Sequence, residues 1–128
     1  MHPFRAAVEA GDIEAAVALL AEDVVFRSPV AFRPYRGRAA VAPILRAVVQ
    51  VFEDFRYVRE IGAADAADHA LVFQARVGDQ QLEGADFLHV GDGGSIDEFV
   101  VMVRPLSATV ALATAMQARL AAAADSAG

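Results

Sequence analysis

Cysteine is missing from the 128 residues, and so is lysine, for all 11 basic residues are arginine. Without cysteine there is no disulfide framework, no thiolate zinc site and no thiol nucleophile. The basic residues are outnumbered by 17 acidic ones, giving a net charge of −6. They do not gather into a stripe, which disfavours a nucleic-acid partner. No uninterrupted apolar run approaches the roughly 18 residues of a membrane span. The start, Met1-His2-Pro3-Phe4-Arg5-Ala6, lacks the charged-then-apolar pattern of a secretory signal. A cytoplasmic protein with no membrane partner is therefore expected. Histidine is scarce too, with three residues, none spaced with a second ligand as in His-x3-His. No metal and no cofactor are expected. Arginine as the sole long cation, with abundant alanine, suggests a GC-rich bacterial genome.

What is present is globular: 56% hydrophobic and 22% charged residues, enough for one domain with a real core across 1–128. Phe4 to Ala10 reads as a short helix stopped by Gly11. Asp12 then caps a second helix, Ile13 to about Ala21, completing a helical hairpin. Asp23 to Pro29 is β-branched and aromatic, ends at proline and reads as an edge strand with Val24, Phe26 and Ser28 inward. Residues 31–37 form a loop carrying Tyr35, either an ordinary connection or a cover for a cavity mouth. From Arg38 to Phe52, apolar residues at helical spacing predict a long amphipathic helix with Pro43 near its start.

Four strands follow, about 55–61, 70–77, 81–90 and 96–104, broken by the turn signals Gly78-Asp79 and Gly91-Asp92-Gly93-Gly94. Their alternation predicts Phe73, Phe99, Val101 and Val103 inside. The last strand is apolar on both faces, and Val100 and Met102 on the outer one call for cover, either from another subunit, as in a homodimer through the outer sheet face, or from the final helix. A closing helix from Ser107, its N-cap, presents Val110, Ala113, Met116 or Gln117, and Leu120.

One carboxylate breaks the pattern. In the run Leu82 to Val90, Leu82, Gly84, Asp86, Leu88 and Val90 share a face. Asp86 thus points where the apolar residues point and must be protonated, paired or hydrogen-bonded. It is either a structural acceptor or an acid lining a cavity. His89 falls on the opposite face, suited to a surface or interface role. His69 opens a strand, at a pocket rim or in solvent, and His2 is expected to be disordered. Arg27 and Arg104 read as solvated or paired cations.

Ala10-Gly11-Asp12-Ile13-Glu14-Ala15, the strand Asp23 to Pro29, Tyr35-Arg36-Gly37-Arg38 before a long helix, and Asp86-Phe87-Leu88 before a glycine-rich turn resemble the NTF2-like superfamily. Within it the chain is similar to SnoaL-like polyketide cyclases and ketosteroid isomerases, over residues about 4 to 104. The resemblance implies an α+β fold. Its expected form is an NTF2-like (cystatin-like) cone, a curved mixed or antiparallel sheet around the long helix, with a helical hairpin before and an extra helix after. It also implies an apolar small-molecule pocket, lined by Phe4, Phe26, Ser28, Tyr35, Phe52, Phe73, Leu88, Phe99, Val101 and Val103, with Asp86 as the catalytic residue.

Position by position, the isomerases' first-helix tyrosine corresponds to Phe4, their general base to Ser28, and their protonated oxyanion-hole acid to Asp86; a neutral carboxylic acid of this kind is a known device of that family. The acid of the limonene epoxide hydrolases corresponds to Val101. Serine without a partner base does not take a proton from carbon near neutral pH. The sequence therefore disfavours steroid-type isomerisation. It leaves acid-assisted isomerisation or cyclisation of a ring-bearing apolar substrate, or a noncatalytic module that binds a ligand or dimerises.

Overall fold

In the computed structural model, which describes residues 1–127 and the side chains of 1–124, the chain opens with α1 (Pro3–Glu9) and α2 (Ile13–Ala18). Pro3 sits in the first helical turn, where its missing N–H costs nothing. His2 is not disordered: it is buried, and its Nδ1 accepts the Phe4 amide at 3.0 Å as the N-cap of α1. Its ring stands edge-on to His69 with centroids 4.6 Å apart. Asp12 caps α2 as expected, its Oδ1 accepting the Ala15 amide at 3.0 Å. α2 stops at Ala18 instead of about Ala21, because Leu20 already pairs with Ile96 in the sheet. Strand pairing overrides the helical spacing there.

The strands are β1 (Leu20–Arg27), β2 (Tyr35–Arg36), β3 (Glu53–Ile61), β4 (Asp68–Val77), β5 (Gln80–Val90) and β6 (Ile96–Arg104), with α3 (Arg38–Val51) between β2 and β3. They form one sheet in the order β2-β1-β6-β5-β4-β3. β3 to β6 is an antiparallel meander, and β1 joins it parallel to β6. The sheet is therefore mixed and the architecture α+β.

β1 is not the expected edge strand. Pro29 falls after its last residue, Arg27, and so breaks no ladder, while the two residues of β2 cover the other side. Val24 and Phe26 do face inward and are buried. α3 buries Val41, Ala42, Leu45 and Ala47 against β1, α2 and a final helix, α4 (Leu106–Ala127).

The inner face of the sheet is filled by Leu71, Phe73, Leu88 and Phe99. Gly84, on that face of β5, has no room for a side chain: a Cβ there would run into the Phe73 ring and the Met102 carbonyl. The absence of a Cβ is what lets the ring lie flat on the strand.

α4 differs from expectation in phase. Its buried stripe is Ala108, Leu112 and Met116, whereas Val110 is 57% exposed. Ser107 lies within the helix rather than at its cap. The first buried position is an alanine, too small to stand out in an alanine-rich segment. By length and mean hydropathy (1.2) Leu106–Ala124 would suffice to cross a membrane, yet its stripe packs on Ala47 of α3.

Candidate active site

Asp86 sits in the middle of β5, with Leu71 of β4 and Val101 of β6 as its cross-strand neighbours. It is turned to the inner face, 6% exposed among apolar residues, as strand alternation requires. Burial disfavours the carboxylate form and pushes its pKa up to about 7, and the one hydrogen bond it receives pulls the other way. That bond comes from Tyr57 of β3, whose hydroxyl donates to Oδ2 at 3.0 Å. Oδ1 accepts nothing from the described residues.

Tyr57 reaches Asp86 because of the pairing across two strands. It stands opposite Phe73, which stands opposite Gly84, two residues along β5 from Asp86. Phe73 is edge-on to Tyr57 at 6.4 Å, and Phe55 packs at right angles to Tyr57 at 4.9 Å. Burial first, and the neighbouring Asp86 second, push the phenol above its ordinary range. Arg5 holds its guanidinium carbon 5.9 Å from the Tyr57 ring centroid and is itself paired with Glu9 at 2.7 Å.

Asp86 and Tyr57 stand in the wall of a cavity of about 610 Å³. Of the residues expected to line it, Phe4, Phe26, Phe52 and Phe73 are in the wall, as are Ser28, Tyr35, Phe99 and Val101. Leu88 and Val103 are not. Leu88 shares the phase of Asp86 but is enclosed in the core at 1% exposure, and Val103 packs against the stripe of α4. Alternation tells which face a residue takes, but not how far along the strand the hollow extends.

Ser28 is spent locally, its Oγ accepting the amides of Val30 and Ala31 at 3.1 and 3.0 Å. Tyr35 stands 38% exposed in the wall, tilted against Phe26, while Phe32 of the same loop is fully in solvent.

The remaining candidates fall elsewhere. His89 lies on the outer side with Nδ1 2.7 Å from Asp97 Oδ1, and that bond raises its pKa. His69, expected at a rim or in solvent, is buried at 7%. One ring nitrogen meets the Ala66 carbonyl at 2.8 Å and the other, Nδ1, has no hydrogen-bond partner among the described residues. Arg27 is exposed, and Arg104 stands 3.5 Å from Glu83. Among the described residues no group of three or more His, Cys, Asp or Glu side chains is placed to hold a metal ion.

Sequence reasoning did not single out Tyr57, one of only two tyrosines in the chain, nor Leu112, and it named Met116 and Leu120 for the packing of α4 but not for the cavity wall. Tyr57 shares its β3 face with the half-buried Phe55. That phase was readable, but not the strand order that brings it to Asp86.

The sequence and fold are similar to those of known proteins. The family described as SnoaL-like domain matches residues 2–99. A steroid delta-isomerase from Pseudomonas aeruginosa is 42% identical, over 94% of this chain and 88% of that one, with a TM-score of 0.88. A protein with a cystatin-like fold, conserved in bacteria, from Silicibacter pomeroyi DSS-3 is 41% identical over 93% and 86%, with a TM-score of 0.85. SalBIII, an epoxide hydrolase/cyclase-like enzyme of pyran ring formation in salinomycin, is 18% identical over 82% and 87%, with a TM-score of 0.64. At that identity the likeness concerns the fold. No curated protein matches the sequence.

Proposed function

The chain belongs to the SnoaL-like domain family, and from that premise we propose that it performs acid-assisted isomerisation or cyclisation of an apolar, ring-bearing carbonyl compound. The observation that carries the reading is Asp86: a carboxyl group buried in the wall of an apolar cavity, with its pKa pushed up to about 7 and a single hydrogen-bond partner among the described residues. Tyr57 donates to Oδ2, so the acid proton belongs on Oδ1, the oxygen without a protein partner. There it donates to a substrate carbonyl and strengthens that bond as negative charge develops on the oxygen. In the isomerisation the proton leaving the α carbon passes to water and one from water is returned at the γ carbon, since the Ser28 hydroxyl, engaged with two backbone amides and with no base beside it, does not carry it. The similarity to a protein named steroid delta-isomerase supports the isomerase form of this chemistry.

The test is conjugation of β,γ-unsaturated cyclic ketones, followed by ultraviolet absorbance. Asp86→Asn is expected to lower kcat about 10²-fold. The wild-type rate is expected to fall as pH rises through about 7, where Asp86 loses its proton. Turnover unchanged by the substitution overturns the reading.

A second reading, a ligand-holding module without catalysis, is favoured by the engagement of Ser28 in its own turn. It predicts ketone-induced thermal stabilisation of wild type with no turnover. In either reading we propose a homodimer through the outer sheet face. There Phe87 and Met102 are 41% and 60% exposed, with Val100 between them in the pairing. A monomer by sedimentation velocity at micromolar concentration counts against it.

A further inference from the structure

The matched family segment ends at residue 99, whereas the cavity does not. Leu112, Met116 and Leu120 of α4 stand in its wall. They recur every four residues and so form one stripe along the helix. The stripe packs on Ala47 and Val48 of α3 and on Val77 and Val103, at the C-terminal ends of β4 and β6.

That position sets a direction. β5 runs antiparallel to both neighbours, so Val77 stands opposite Gln80 and Val103 opposite Gly84, in the first half of β5. Asp86 lies two residues beyond Gly84 and six beyond Gln80, roughly 7 to 20 Å at the strand rise. A molecule whose carbonyl meets Asp86 therefore extends towards α4, and the side chains α4 places in the wall limit how far it can go.

The three side chains are not equivalent. Leu112 is 3% exposed and committed to the contact with Ala47, and Leu120 is only half-buried. Met116 is buried at 9%, yet it is unbranched and adaptable, so its volume can change with less damage to packing. Most of the other described side chains of α4 are short, with Arg119 its one described cation, so little else on the helix reaches across the gap.

We propose that α4 is the specificity element of the site and that Met116 sets the longest fused-ring system the cavity accepts; this rests on Asp86 being the group that meets the carbonyl. Replacing Met116 by alanine removes three heavy atoms from the far wall and admits longer ligands. Replacing it by phenylalanine shortens the space while leaving the Asp86 end untouched.

The experiment measures dissociation constants of the full chain by calorimetry for 2-decalone and its three- and four-ring fused homologues. Met116→Ala is expected to raise the preference for four rings over two about tenfold. Met116→Phe is expected to lower it by a similar factor, with the larger loss falling on the four-ring ligand. A purely structural Met116 would weaken all three ligands alike and leave the ratio fixed, which overturns the proposal. Leu120→Ala, at a less buried position, is expected to move the ratio in the same direction as Met116→Ala, and supplies the test if a Met116 variant does not fold. Asp86→Asn in parallel separates the two claims. Unchanged affinities for every ketone with a shifted Met116 ratio overturn the carbonyl contact and support the role of α4. A lower affinity for all three with a fixed ratio does the reverse.

Discussion

Asp86 and His89 stand three residues apart on opposite faces of β5, and both hold protons above their ordinary pKa for opposite reasons. Asp86 is raised by burial, with its partner Tyr57 working against the rise. His89 is raised by its partner Asp97, with burial working against it. Desolvation governs the inner face and pairing the outer one, because a charge near apolar walls loses its hydration while a charge near water keeps it. The same strand thus presents a buried acid to a cavity and an ordinary ion pair to solvent.

The sharpest way to break this contrast is Asp86→Asn. A carboxyl whose pKa is raised on folding favours the fold fully below its unfolded pKa of about 3.9, and that contribution is lost as pH rises through about 7. Above pH 8 the asparagine variant is expected to be more stable than wild type by on the order of 2 kcal/mol, with the difference closing towards pH 4. Urea melts at the two pH values measure it.

Tyr57→Phe removes the bond that holds the Asp86 pKa down. The pH at which the wild-type rate falls is then expected to move upward, with a stability loss of about 1 kcal/mol; a pH–rate profile reads the first and chemical denaturation the second. The smallest effect is expected outside. Asp97→Asn lowers the His89 pKa, visible in a proton NMR titration of its ring, and leaves the melting temperature within about a degree.

That the inner acid was legible in the sequence and its partner was not has a physical cause. Alternation is a local property, so nine residues of β5 suffice to turn Asp86 inward. Tyr57 meets it only through the order β5-β4-β3 and the pairings of Phe73 with both Tyr57 and Gly84, facts about three separate segments. β3 also shifts register on either side of Tyr57, which blurs its phase.

β1 looked like an edge for a similar reason: its neighbours are a two-residue strand and a strand from the far end of the chain. α4 was found as an element but mis-phased, since an alanine at 108 begins its buried stripe. His2 was expected to be disordered because what buries it, His69 at the start of β4 and Glu60 on β3, lies far along the chain.

The parallel pairing of β1 with β6 also governs the order in which the molecule can be completed. Hairpins from β3 to β6 join neighbours in the chain, but Phe26 waits for Phe99. During synthesis the first third of the polypeptide leaves the ribosome with Val24 and Phe26 still lacking the strand that shields them. Final closure of the barrel-like hollow is therefore a late, long-range event, and the earliest-made residues are among the last to be sheltered.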